Sequence, residues 1–269
     1  AAARRTWNDD LGRIRVEGGT EAQKKVFYTG LYHALIHPNV LSDVNGEYPA
    51  MESAEIRTAE GNRYTVFSLW DTYRNLHQLL TLVYPERQLE MVRSMVGMYR
   101  EWGWLPKWEL YGRETFTMEG DPSIPVIVDT WMKGLRDFDM DAAYEAMRKS
   151  ATTPGARNRM RPDIDPYIEK GYVPLGFYAR DLSGDNSVSH ALEYYIADHA
   201  LSLLADSLGK KDDAALFRAR SLGYKNYYST ESGTFRPITK EGKFLTPFDP
   251  RQGENFEPVP GFHARSARN

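Results

Sequence analysis

The stretch FSLWDTYRNLH, residues 67 to 77, sets Asp71, Arg74 and Asn75 at spacings of three and four, with Trp70 and Tyr73 beside them. On a helix those spacings share a face. Two readings of that face stay open. In one, Asp71 and Arg74 form a local ion pair on a solvated surface. In the other, Asp71 accepts hydrogen bonds from two vicinal hydroxyls while Arg74 holds its carboxylate in place and ionised. Further on, EWGWLPKWEL brings Trp102, Trp104 and Trp108 close together, and Pro106 keeps the run out of a helix. A surface loop seldom buries three indoles, so one is expected in the core and another as a stacking platform for a pyranose face. Glu109 and Glu114 follow closely. Loop glutamates are ordinarily solvated, and spacing alone assigns neither a catalytic role.

The six histidines are scattered. His33 and His37 have the four-residue spacing of a zinc pair but no HExxH context, so satisfied core or interface histidines are expected. Loop carboxylates and amides favour a hard, oxygen-seeking ion such as calcium over zinc. No glycine-rich phosphate loop, GxSxG elbow or kinase signature is present.

The elements that must carry these residues are helical. Thr20, with Gln23 three residues on, opens a helix in which Phe27, Leu31 and Leu35 form an apolar stripe ending before Pro38. A long polar loop follows, residues 39 to 62. Val66 to Val83 reads as one continuous helix, and Pro85 as the first residue of the next, running to Trp102 before Gly103. Residues 104 to 121 form an aromatic and polar loop. Further helices are expected over 123–136, 140–149, 187–208 and 211–228, with Gly209 ending the penultimate one in a left-handed conformation. The Pro-, Gly- and Arg-rich stretch from Pro154 to Leu182 reads as a connection holding a short strand in YVPLGFYARD. Helices separated by long loops, with almost no period-two alternation, predict an all-α chain of helical hairpins ranged in a ring, with the site on one rim.

Composition narrows the function classes. In 269 residues, 41% are hydrophobic and 26% charged, as in a globular protein with a substantial core. The net charge of -3, with both signs interspersed, gives no case for nucleic acid or for an anionic membrane surface. The absence of cysteine excludes disulfides, thiolate metal sites and cysteine nucleophiles. No apolar run reaches the roughly 20 residues that span a bilayer. Aromatics make up 13% of the chain, many beside polar groups, which suits a ligand with apolar faces and hydroxyl edges such as a sugar. The chain opens on Ala1, which predicts a mature or excised piece.

Residues 16 to 48, VEGGTEAQKKVFYTGLYHALIHPNVLSDVNGEY, resemble the opening of the catalytic domain in glycoside hydrolase family 92, the calcium-dependent exo-α-mannosidases. The resemblance continues through FSLWDTYR, GWLPKWEL, ETFTMEGDPSIPVIVD, KGLRDFD, SVSHALEYYIAD and NFEPVPGF. It implies an (α/α)6 toroid behind a β-sandwich domain, with calcium bound beside the sugar. The implied reaction is hydrolysis with inversion of a terminal α-mannosyl residue, α-1,2-linked in an N-glycan or mannan, by two carboxyl groups flanking the bond. By the same resemblance Trp70 and Asp71 look like the sugar-binding tryptophan and aspartate and Trp108 like a wall of the subsite. Arg74 and Glu114 also take substrate-binding roles, and the calcium ligands stay unknown. Relatives are periplasmic or secreted.

The family's general acid would follow PGFH, where this chain has Ala264, and the general base lies in a motif beyond Asn269. The expected organisation is a linker over residues 1–19, an incomplete catalytic-domain segment over 20–263 and a divergent tail over 264–269. The segment is expected to need a β-sandwich and a C-terminal remainder, and to have little or no activity alone. Two alternatives are a mannose-binding module without catalysis, or another (α/α) toroid hydrolase such as a glucosidase.

Overall fold

The computed structural model describes residues 2–177, 179–180, 184–185 and 187–251. Ten α-helices run through them: α1 Ala2–Leu11, α2 Glu21–Ala34, α3 Leu69–Thr72, α4 Leu76–Val83, α5 Pro85–Trp102, α6 Ser123–Met132, α7 Met140–Thr152, α8 Ile164–Lys170, α9 Ser187–Ser207 and α10 Lys211–Ser221. The strands among the described residues are two or three residues long, so the chain is all-α.

Local signals set most helix ends. Thr20 and Gln23 form the expected reciprocal cap on α2, with Gln23 N–H donating to Thr20 Oγ1 at 3.2 Å and Thr20 N–H to Gln23 Oε1 at 2.8 Å. Pro85 opens α5, where a missing N–H costs nothing. Gly103 closes that helix at φ +92, a left-handed conformation available cheaply only to glycine. Helices α4 and α5 make one hairpin, α9 and α10 another, and α6 packs against members of both. Their facing sides supply the main core, with Leu80, Met95, Ile127, Met147, Leu201 and Phe217 among its buried members. A smaller tyrosine-rich core joins α8, α9 and the 3-10 turn Leu222–Tyr227.

Expectations about several elements are corrected. The continuous helix over 66–83 is broken: Phe67–Ser68 is a strand, α3 lasts four residues, and α4 begins only at Leu76. The loop over 104–121 contains a hairpin of strands Trp108–Leu110 and Arg113–Glu114. The connection over 154–182 holds α8 besides the expected strand at Ala179–Arg180. Within residues 1–19, α1 docks on the rest of the chain: Tyr84 donates its hydroxyl to Asp10 O at 3.0 Å, and the Trp7 and Tyr32 rings lie 4.6 Å apart. In α2 the apolar stripe is only partly covered, since Leu31 is buried while Phe27 is exposed.

Exposed apolar side chains continue along other helices, with Leu82 75% and Met132 50% exposed, followed by Ile196, Leu203 and Leu216. Between α6 and α9 they border a groove of about 410 Å³. Apolar area left in water favours association. The isolated chain is expected to show a concentration-dependent mass above its 30.8 kDa monomer in light scattering; a monodisperse monomer at all concentrations would contradict this. Among the described residues no helix is long and apolar enough to cross a membrane.

Candidate functional site

The break at residue 66 builds the site. Val66 adopts φ +61, a conformation that a β-branched residue holds only under constraint. The constraint is Glu109, fully buried in strand Trp108–Leu110. Its carboxylate accepts the Thr65 hydroxyl at 2.8 Å, the Val66 N–H at 3.1 Å and the Gly112 N–H. Burial pushes the Glu109 carboxyl up, while the Gly112 N–H and Thr65 hydroxyl pull it down. Strand Phe67–Ser68 then pairs antiparallel with Trp108–Leu110, Ser68 opposite Trp108. Ser68 Oγ donates to Asp71 Oδ2 from the first turn of α3. Through this pairing the turn of α3 that holds Trp70 and Asp71 lies next to the strand of Trp108, nearly forty residues away in sequence. Asp71 is exposed, and Trp70 and Trp108 are half-buried.

Arg74 takes neither role expected of it. Thr72 ends α3 and the chain turns through residues 73 to 75, so the shared helical face does not exist and no Asp71–Arg74 ion pair forms. Instead Arg74 Nη2 lies 3.0 Å from Glu193 Oε1 of α9. Its guanidinium sits 4.4 Å from the Trp70 ring centroid and 5.1 Å from that of Tyr73. Tyr73 donates its hydroxyl to the other oxygen of Glu193 at 2.6 Å. Asn75, exposed, lies at the start of α4.

Glu114 is 7% exposed, and its carboxylate accepts backbone N–H groups from Lys107 at 2.7 Å, Trp108 at 3.0 Å and Phe116 at 2.8 Å. Burial raises its pKa and these three N–H donors lower it. With its oxygens occupied by the chain itself, Glu114 positions the backbone of Trp108. The other two indoles divide as expected in part: Trp102 packs against the core and Phe116, and Trp104 lies 4.6 Å beneath the Lys149 ammonium. The indole N–H groups of Trp70 and Trp108 are buried without an acceptor among the described residues.

Two buried networks fix the corner. His77 Nδ1 faces Gln88 Oε1 at 2.9 Å and Nε2 faces Thr72 Oγ1 at 3.0 Å, while Gln88 Nε2 donates to Thr130 Oγ1 at 2.9 Å. Burial depresses the His77 pKa to about 4, so the ring is neutral and ties α3 to α5 and α6. Below the aromatic loop, Arg161 bridges Asp121 at 3.0 Å and Asp198 at 2.8 Å, and Tyr167 and Arg220 also donate to Asp198. Ser150 donates to Asp121 at 2.6 Å.

Sequence reasoning missed Glu193, Arg161 and Asp198. Glu193 and Asp198 interrupt the otherwise apolar helix HALEYYIAD, and a charge in a helix that must be buried was the available signal. His33 and His37, expected as core or interface histidines, are exposed, whereas His77 and His190 are buried. Ala264 and the tail over 264–269 lie outside the described residues. Among the described residues no group of three or more His, Asp or Glu converges on a common point.

A corner of two indoles and an exposed carboxylate on a helical scaffold suits a sugar, and known proteins share the scaffold. Residues 1–265 match the glycosyl hydrolase family 92 catalytic domain. An uncharacterized secreted glycosidase from Arthroderma benhamiae is 26% identical over 256 residues, covering 93% of this chain and 28% of the relative. A family 92 α-mannosidase from Bacteroides thetaiotaomicron, solved with mannoimidazole, superposes with TM-score 0.84 at 34% identity, covering 96% of this chain and 32% of that one. An inverting family 92 mannosidase from the same species gives TM-score 0.85 at 32% identity, covering 93% and 34%. The chain therefore spans about a third of the length of the relatives it matches. Its hairpins are part of the (α/α)6 toroid that the family resemblance implies. With this match along nearly its whole length, the chain belongs to glycosyl hydrolase family 92 as a segment of the catalytic domain.

Proposed function

We propose that this chain is the sugar-gripping segment of an exo-acting, inverting α-mannosidase, working on terminal α-1,2-linked mannose of an N-glycan or mannan. The observation that supports the reading is the pairing of Ser68 with Trp108 while Ser68 Oγ donates to Asp71. In this role Asp71 accepts hydrogen bonds from two sugar hydroxyls, and the indoles cover the apolar face of the ring. Arg74 acts through Trp70, and Glu114 through Trp108.

The carboxylates around the corner leave no acid and base pair for the bond itself. Glu109 and Glu114 are consumed by backbone and hydroxyl donors, and Glu193 by Tyr73 and Arg74. That favours a second reading for the isolated chain, mannose binding without turnover. The acid and base, and the oxygens that complete a calcium site, would come from outside the described residues. A β-sandwich and a further catalytic segment are the parts of the longer protein that this reading calls for. The secreted relative supports a periplasmic or extracellular location.

Calorimetric titration with α-1,2-mannobiose tests the reading. The chain is expected to bind it in preference to glucosides, and Asp71→Ala or Trp108→Ala to weaken binding by about tenfold to a hundredfold. Incubation with an aryl α-mannoside and calcium is expected to give no turnover by the chain alone. A wild-type chain that binds glucosides better than mannosides would transfer the site to the other toroid hydrolases.

A further inference from the structure

Three segments distant in sequence converge on Glu193. From the corner come Tyr73 and Arg74, one on each carboxylate oxygen, at 2.6 and 3.0 Å. From the aromatic loop comes Gly120, at φ +79, so close that a Cβ there would lie 2.4 Å from Glu193 Cβ. The third is α9, which carries Glu193 itself, its side chain only 12% exposed. The guanidinium that Glu193 holds is in turn stacked on the Trp70 indole.

We propose that Glu193 is the positioning residue of the sugar-binding corner: by holding Tyr73 and clamping Arg74 against Trp70, it sets the angle of the indole and the aspartate that follows it. The proposal rests on the mannose-binding reading above for its ligand, but the clamp itself is a statement about geometry. An arginine free to rotate samples many rotamers, and ordering it without a partner is unfavourable. With both faces of the contact fixed, by carboxylate on one side and indole on the other, Trp70 has one orientation. Helix α9 is long and packed along most of its length, so the corner inherits the rigidity of the α9–α10 hairpin rather than that of its own short turn. Gly120 belongs to the same device, since any larger residue there would displace Glu193. Burial favours the protonated carboxyl, and the Tyr73 hydroxyl and Arg74 charge oppose that.

The test uses the full 269-residue chain. Two signals are read: calorimetric affinity for α-1,2-mannobiose, and Trp70 fluorescence, obtained as the difference between each protein and its Trp70→Phe counterpart. Glu193→Ala is expected to weaken mannobiose binding about tenfold, the size of one charge-assisted hydrogen bond. It should also make Trp70 more accessible to acrylamide quenching while the far-UV circular dichroism stays unchanged. Glu193→Gln, which can still accept one of the two hydrogen bonds, should fall between. A purely structural role would lower the unfolding midpoint but leave the Trp70 signal of the folded protein as it was. If the wild-type chain binds no mannoside yet Glu193→Ala still frees Trp70, the clamp stands and the choice of ligand falls. Folded Glu193→Ala with wild-type affinity and an unchanged Trp70 signal overturns the proposal. Should Glu193→Ala not fold, Glu193→Gln is read in the same way, and identity with the wild type in both signals is the overturning result.

Discussion

Replacing Arg161 with alanine is expected to destabilise the chain by about 3–5 kcal/mol, the range found when one partner of a buried ion pair is removed. Arg161, Asp121 and Asp198 have side chains essentially without solvent contact. Each carboxylate has other donors, Ser150 for Asp121 and Tyr167 and Arg220 for Asp198, but Arg161 alone joins the two. Without it, two negative charges stay buried with one cation, Arg220, close to Asp198 only. Restoring water to the site would require opening the packing of α8 and α9. Equilibrium unfolding in urea should show a lower midpoint, and a thermal scan a fall of roughly 10 °C. A change below about 1 kcal/mol would mean that the network is not what holds the end of the aromatic loop. Because Asp121 closes that loop, mannobiose affinity should weaken in whatever fraction of Arg161→Ala stays folded.

The second large effect is on acidification. His77 has a pKa depressed to about 4 in the folded chain, from an ordinary 6.5, first by burial and against the opposing pull of Gln88 and Asp129. Between those values the unfolded chain binds a proton that the folded chain does not, so stability falls as pH falls through this window. His77's contribution is fully present above about pH 6.5 and lost near pH 4, a difference of about 3 kcal/mol at 1.36 kcal/mol per unit. The raised carboxyls of Glu109, Glu114 and Glu193 act in the opposite direction, since they accept protons more readily when folded. Comparison with His77→Gln isolates the histidine: the wild type should lose more stability between pH 7 and pH 4 than the variant. Equal losses in the two proteins would show that His77 is protonated in the fold. Because His77 also faces the Thr72 hydroxyl at the end of α3, the sugar affinity of the folded chain is expected to weaken only as pH falls to about 4, where the folded ring takes up its proton.

Much of the fold was written locally. The Thr20–Gln23 cap, Pro85 at the start of α5, and the left-handed glycines at positions 103 and 209 each act within a few residues, and each appears where its chemistry requires. The family, too, was legible, because its motifs run in order along the chain. What the sequence could not disclose were the partners. Helical spacing placed Arg74 on Asp71, three residues away, because periodicity compares only neighbours along the chain. Folding instead broke the helix at Val66, where strand pairing with residue 109 overrode helical propensity, and gave Arg74 to Glu193, 119 residues distant. Glu114 looked solvated for the same reason: nothing local says that three backbone N–H groups will close around it. The Arg-rich stretch before α8 read as a connection because Asp121 and Asp198, the partners of Arg161, arrive from segments distant in sequence. Local caps thus determined that this chain is helical, and the ordered motifs determined its family. Only the tertiary structure decided which carboxylates remain open to a ligand, because a buried charge is satisfied by whatever the fold brings to it, however far away in sequence.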